Sequence, residues 1–476
     1  MEKGTIKKNY FYNVLYQLLI IILPIITTPY IARTLGAEGN GIYGYTLSIV
    51  TYFILFGSFG ISIYGQREIA YVQGDAKKRS SILFELCIIR LITMILSSLV
   101  FYFIFCRNGL YSIYYKILLL EMLANILDIS WFYQGMEDFK KIVIRNFVIK
   151  IISVICIFIF IKKSTDLNKY IFIYSISTLI GSLTLWFGLK KYICKPGKLK
   201  FKHHIPLIIS LFIPQIAIQI YTVLDKTMIG IILNDMREVG YYEQAQKIIK
   251  ILLTIITAIG TVMMPRIANC YAKGDNDQIK KYMYKTFSFV FLLSFPLMFG
   301  LIAVSNNFVP LFFGKGYDKV PLIMNILSTI VLFISLSSII GNQYLLSIKK
   351  QKEFTISVIA GSVVNFILNL ILIQKYKSYG ASFATLFAEL SVTIIQLYFI
   401  RKEFKISKIL VLSKNYLISG IIMFIFCYVI DILILNNLIS LIIQIFIGLI
   451  VYPLVLYLIR DSFFIETVNK ILKRKQ

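Results

Sequence analysis

Lys77-Lys78-Arg79 leads, after two serines, into Ile82-Leu83-Phe84-Glu85-Leu86-Cys87-Ile88-Ile89-Arg90-Leu91-Ile92-Thr93-Met94-Ile95-Leu96-Ser97-Ser98-Leu99-Val100-Phe101-Tyr102-Phe103-Ile104-Phe105, and Arg107 follows after Cys106. A helix over this run rises roughly 36 Å, enough to cross a bilayer. Cations gather at its ends and only two charged residues lie within it. Water does not favour such a helix in isolation, whereas lipid does.

The pattern repeats along the chain. Apolar runs fall near 10–31, 41–63, 82–105, 113–134, 143–161, 170–188, 206–224, 239–263, 286–304, 320–347, 355–373, 380–400, 416–435 and 438–459. Their number and length predict an all-α polytopic membrane protein of about 14 transmembrane helices. Composition agrees: 58% of the 476 residues are hydrophobic, yet the formal net charge is +27. The two facts are compatible because the cations sit mainly between the runs. No polar segment is long enough for an inserted soluble domain. The apolar start, with no small-residue cleavage site before Pro24, reads as a first helix that inserts and stays.

Lys and Arg set the orientation. With the N-terminus inside, the inside segments carry roughly 34 of them, against about 11 outside. This predicts both termini in the cytoplasm. A half-length echo pairs Gly41-Ile42-Tyr43 with Gly240-Tyr241-Tyr242, and Arg67 with Arg266 at the same spacing from each glycine. It predicts two six-helix lobes: an N-terminal lobe over 1–190, a basic cytoplasmic linker over 191–203 and a C-terminal lobe over 204–402. Residues 403–476 then hold two C-terminal helices and a basic tail. Pro24 and Pro29, and Pro206 and Pro214, open the two halves with what read as Pro-interrupted helices, and Pro265 ends the eighth.

Charges inside the runs are the functional candidates, because burying them in lipid is costly. Arg90, Lys150, Lys247 and Lys250 read as cavity cations able to hold an anion such as a phosphate or pyrophosphate. Glu121, Asp128 and Glu389 read as buried acids that can carry H⁺ or Na⁺, and possible coupling to such a gradient is the only cofactor-like requirement. Internal pairing of acids with cations is the competing reading. Glu243, Lys247 and Lys250 are helical neighbours that can neutralise one another. Asp225 and Lys226 read as a helix end that snorkels, and Glu85 as a solvated acid near the cytoplasmic end. The six cysteines show no metal-type spacing, and His203-His204 read as a solvated linker. No GxxxxGK[ST] loop, Ser/His/Asp setting or metal cluster is seen, so enzyme and ATPase readings are disfavoured.

Several blocks carry a family likeness. Asn13, Pro24-Ile25-Ile26-Thr27-Thr28-Pro29-Tyr30-Ile31-Ala32-Arg33-Thr34-Leu35-Gly36 and Tyr64-Gly65-Gln66-Arg67-Glu68-Ile69-Ala70 resemble the opening of the polysaccharide transporter family, the Wzx-type oligosaccharide flippases. Leu224-Asp225-Lys226-Thr227-Met228-Ile229-Gly230, Val239-Gly240-Tyr241-Tyr242-Glu243, Met264-Pro265-Arg266 and Tyr379-Gly380-Ala381-Ser382-Phe383-Ala384-Thr385 extend the match. The resemblance implies the multidrug/oligosaccharidyl-lipid/polysaccharide exporter fold, with the two six-helix lobes around a central cavity and two extra helices. It also implies flipping of undecaprenyl-pyrophosphate-linked repeat units across a bacterial cell membrane, by alternating access, for a capsule, O-antigen or related glycan. Arg33, Arg67, Asp225, Lys226, Lys247 and Arg266 fall on matching positions. Implied partners are the lipid-linked oligosaccharide, membrane lipids, a polysaccharide polymerase and other assembly proteins, with no nucleic acid. Alternatives are an ion-coupled drug antiporter of the same superfamily, which calls for an acid-rich cavity, or a lipid II-type flippase. A glycan polymerase would be expected to bring a large external loop, which is not seen.

Overall fold

The computed structural model describes residues 3–257 and 260–473, with side chains over 22–212, 216, 219, 222–257, 260 and 263–470. Asn13 and Pro214 therefore lie outside the described side chains. Every regular element among the described residues is a helix. The chain divides into two compact units, Met1–Thr227 and Met228–Gln476.

In the first unit α1 spans Lys3–Ser58 with one non-helical residue, Gly36, at φ 69° and ψ 179°. That conformation suits glycine, which has no Cβ to clash. The chain doubles back there. Asn40 Nδ2 donates to Gly36 O at 2.7 Å and to Ile31 O at 3.4 Å, although nine residues of unbroken helix would separate 31 from 40 by about 13.5 Å. The first two expected runs are thus the two arms of α1. The prolines do not interrupt it: the backbone is helical through Pro24 and Pro29, and the break is at Gly36.

The remaining helices of this unit are α2 (Ile61–Tyr71), α3 (Ala76–Phe101), α4 (Ser112–Leu127), α5 (Ser130–Gly135), α6 (Phe139–Phe160), α7 (Leu167–Phe187) and α8 (His204–Leu233), the last continuing past the unit boundary. α1 packs on α3, α4 and α6, α4 on α7, and α2 on α5. Ile31, Leu35, Tyr43, Met94, Phe101 and Leu118 form one buried cluster, and Ile61, Leu83, Trp131, Phe132 and Ile208 belong to a second. In α3, Leu91, Ile92, Ile95, Leu96 and Leu99 are exposed while Glu85, Arg90 and Met94 are buried. This inversion of a soluble helix is expected where the solvent is lipid.

The second unit holds α9 (Met236–Thr257), α10 (Gly260–Ala272), α11 (Asn276–Phe313), α12 (Val320–Ser328), α13 (Ile330–Ser337), α14 (Gln351–Ile400), α15 (Ile406–Leu433), α16 (Asn437–Leu458) and α17 (Ser462–Lys473). α10 runs through Pro265 to Ala272, so that proline does not end it. α14 reverses at Lys377, φ 55° and ψ −132°. A Cβ on Gly380 would lie 2.2 Å from Leu372 O, so only glycine allows this return. Two more expected runs are therefore the arms of α14. The C-terminal pair, α15 and α16, packs on α11. There Asn307 Nδ2 donates to Asp431, to Ser440 Oγ at 3.0 Å and to Gln444 Oε1 at 3.2 Å.

Among the described residues, nine helices are long and apolar enough to cross a membrane, and the two longest contain these reversals. The other expected runs correspond to α4 with α5, to α8, and to α9. The protein is a multi-pass, all-helical membrane protein.

Candidate functional site

Three helices of the first unit bring polar stripes together. α6 presents Arg145, Asn146, Ile149, Lys150 and Ser153; α7 presents Tyr174, Ser177, Thr178, Gly181 and Ser182; α4 presents Ala124, Asn125 and Asp128. Each set recurs at three- and four-residue steps, which places it on one helical face. Small residues on α7 let its backbone approach α6, and Ser153 Oγ donates to Ser177 Oγ at 3.1 Å. The stripes enclose a cavity of about 270 Å³.

The cavity has a scaffolded acid and two cations. α4 ends where Asp128 turns to an extended conformation. Its carboxylate accepts from Ser130 N at 3.1 Å and Ser130 Oγ at 2.9 Å, starting α5. Arg145 Nη1 stands 3.8 Å from Asp128 Oδ1. From α3, buried Arg90 donates to Asp128 O and Asn125 Oδ1, both at 2.9 Å. Arg90 thus braces the wall, while Arg145 and Lys150 line the space. Glu121, one turn before Asn125, is buried with Ser175 and Thr178 of α7 beside it. Such a site offers N–H donors in fork and point geometry to an anion, and hydroxyls and amides to its polar attachments.

Of the residues singled out from sequence, Arg90, Glu121, Asp128 and Lys150 come together here. Arg145 was missed, although its spacing from Ile149 and Lys150 marks the same face. Arg33 is exposed just before the α1 reversal. Arg67 pairs with Glu68 at 3.3 Å and lies over the Tyr64 ring. Asp225 and Lys226 are buried, 3% and 8% exposed, rather than snorkelling. The reason is that α8 continues to Leu233, which puts them inside the helix, beside Thr227, whose hydroxyl meets Ser48 Oγ at 2.8 Å.

In the second unit Lys247 stands 3.7 Å from Glu243, the local neutralisation expected of an i,i+4 pair. Lys250 and Arg266 are exposed. Glu389 is buried one turn beyond Thr385, whose hydroxyl meets Tyr242 Oη at 2.9 Å. Glu238, also missed, is buried at the start of α9 and binds Lys319 and Ser378 Oγ, next to the Lys377 reversal.

The largest departure from the sequence reading is at His204 and Glu85. Neither is solvated: they are 0% and 3% exposed. His204 Nε2 lies 2.7 Å from Glu85 Oε2, and Nδ1 lies 2.7 Å from Tyr64 Oη. A carboxylate accepts, so Nε2 donates to it, and Nδ1 shares the second hydrogen bond with the tyrosine hydroxyl, which can take either role. Glu85 Oε1 also accepts from Lys200 N at 2.5 Å, and Arg79 Nε donates to Tyr192 O at 2.9 Å. The basic segment before α8 is thus fastened along α3. His203, by contrast, is exposed.

Comparison with known proteins places the chain among transporters. The family pattern described as "Polysaccharide biosynthesis protein" matches residues 6–271, and that described as "Lipid II flippase MurJ" matches 147–452. An Escherichia coli K12 protein named "Putative O-antigen transporter" is 24% identical, over 84% of this chain and 98% of its own length. The Staphylococcus aureus capsular polysaccharide biosynthesis protein CapF is 23% identical, over 83% of this chain and 100% of its own. The solved lipid II flippase MurJ, in an inward closed conformation, shares the fold with a TM-score of 0.73 over 95% of this chain and 99% of that one, at 22% identity. These similarities are to transporters rather than enzymes. The chain belongs to the polysaccharide biosynthesis protein family, that of the Wzx-type oligosaccharide flippases.

Proposed function

We propose that this protein carries undecaprenyl-pyrophosphate-linked oligosaccharide repeat units from the inner to the outer leaflet of a bacterial plasma membrane, by alternating access, for a capsule, O-antigen or related polysaccharide. Both termini lie in the cytoplasm in this reading, as the Lys and Arg distribution suggests. The observation that carries it is a polar cavity on membrane-spanning helices, lined by Arg145 and Lys150, in a chain of this family. A pyrophosphate needs a cationic, hydrogen-bonding path across hydrocarbon. The asparagine, serine, threonine and tyrosine side chains of α4, α6 and α7 suit sugar hydroxyls. Arg33, Arg67, Lys226, Lys247, Lys250 and Arg266 are the further cations proposed to guide or hold the anion, and Arg90 is proposed to brace the cavity that binds it. Glu121, Asp128, Asp225, Glu243 and Glu389 are the acids proposed to couple the cycle to H⁺ or Na⁺. A polysaccharide polymerase on the far side would take the product.

Deleting the gene should make lipid-linked repeat units accumulate on the cytoplasmic side and deplete surface glycan. An unchanged pool with unchanged surface glycan defeats the proposal. A second reading, lipid II transport, is favoured by the match over 147–452. It requires the protein to restore growth to cells lacking their own lipid II flippase.

A further inference from the structure

A second cationic site lies away from the α4–α6–α7 cavity, where α3 begins. Asp75 caps that helix, its Oδ1 accepting from Lys77 N at 3.1 Å and Lys78 N at 3.0 Å. The segment preceding α8 runs beside the first turns: Ser81 Oγ accepts from Gly197 N at 2.9 Å, and Glu85 Oε1 from Lys200 N at 2.5 Å. Between them is a cleft of about 490 Å³ lined by Lys77, Lys78, Lys198 and Lys200, together with Ile82 and His203.

The two acids there are already engaged. Asp75 serves the helix cap and Lys78, at 3.5 Å. Both oxygens of Glu85 are taken, by Lys200 N and His204. Among the described residues, no carboxylate lies within ion-pair distance of Lys77, Lys198 or Lys200. The cleft therefore has an excess of ammonium groups on walls that hydrogen bonds hold in place.

Its level relative to the bilayer is also set. The Glu85–His204 contact puts the first turn of α8 beside the third turn of the membrane-spanning α3. Directly beyond it, Ile205 and Ile209 are exposed, and Leu199 is 38% exposed between two of the lysines. Cations thus give way to bare hydrocarbon over one or two turns, which matches the headgroup-to-acyl boundary of a leaflet. A free phosphate would use the lysines and leave the apolar side chains uncovered.

We infer that this cleft is a binding site for the phosphate headgroup of an anionic membrane lipid, with Lys77, Lys198 and Lys200 on the phosphate and the acyl chains along Ile205 and Ile209. The site is independent of which cargo the protein transports.

The test uses the full chain in phosphatidylcholine nanodiscs containing a minor share of phosphatidylglycerol, with retained lipid counted by native mass spectrometry. Substituting Lys77→Gln, Lys198→Gln and Lys200→Gln together should lower retained phosphatidylglycerol by about tenfold. The matching triple substitution to Arg should keep most of it. A control triple on another basic segment, Lys402→Gln, Lys405→Gln and Lys408→Gln, should retain the lipid like the unaltered protein. Equal retention in the first variant, or an equal loss in the control, overturns the inference. So does added sodium pyrophosphate remaining bound in discs without phosphatidylglycerol and lost in the first variant, which would make the ligand a soluble anion.

Discussion

Two charged regions of the first unit make opposite uses of the same chemistry. At Tyr64–His204–Glu85 each polar atom faces another within the protein, and water is excluded. In the α4–α6–α7 cavity, Arg145 and Lys150 border open space. A buried charge with all its acceptors filled holds elements together, whereas one beside a cavity is placed to meet a ligand. Burial alone does not separate the two; what lies next to the charge does.

The sharpest way to break the contrast is Glu85→Ala. It strands His204 and the backbone of Lys200, and should cost about 3–5 kcal/mol. Thermal unfolding in detergent should show the loss, with Glu85→Gln losing less because its amide oxygen still accepts. Unchanged unfolding in Glu85→Ala would mean that the buried node holds nothing.

Arg145→Gln should behave in the reverse manner. The transport rate should fall about tenfold, about 1.4 kcal/mol of lost interaction, with little change in the unfolding temperature. A variant that unfolds early but transports normally would make Arg145 a brace like Arg90.

The smallest effect is expected at Asp75. Backbone hydrogen bonding to Lys78, with the neighbouring lysine charge, holds its carboxyl below the usual value. A depressed folded-state pKa contributes stability that is present above the unfolded value and disappears as pH falls through the folded one. Asp75→Asn should therefore lower the unfolding temperature slightly at neutral pH, and the gap should close in acid. A gap that widens in acid would contradict the cap.

Much of this was legible in the sequence, for definable reasons. Apolar runs of bilayer length locate the spanning segments because lipid imposes that length. Arg90, Glu121, Asp128 and Lys150 stood out because charges inside such runs are rare. The Gly36 and Lys377 reversals fall between runs that the sequence already separates, 10–31 from 41–63 and 355–373 from 380–400; what it does not show is that a single residue leaves the helical conformation at each turn. The prolines misled because neighbouring helices can absorb a missing backbone hydrogen bond within a membrane. His204 was misread because its partners, Glu85 and Tyr64, lie 119 and 140 residues away. A Lys-rich neighbourhood suggested water, and only tertiary packing reveals the pocket.

The most direct test of a cation-lined transport cavity is translocation of a fluorescent lipid-linked oligosaccharide in proteoliposomes, with unaltered protein and Lys150→Glu side by side. The expected result is transport by the unaltered protein, loss of at least about tenfold in Lys150→Glu, and recovery in Lys150→Arg, all at similar unfolding temperatures. Transport by Lys150→Glu at the unaltered rate would contradict the assignment of this cavity to the anion.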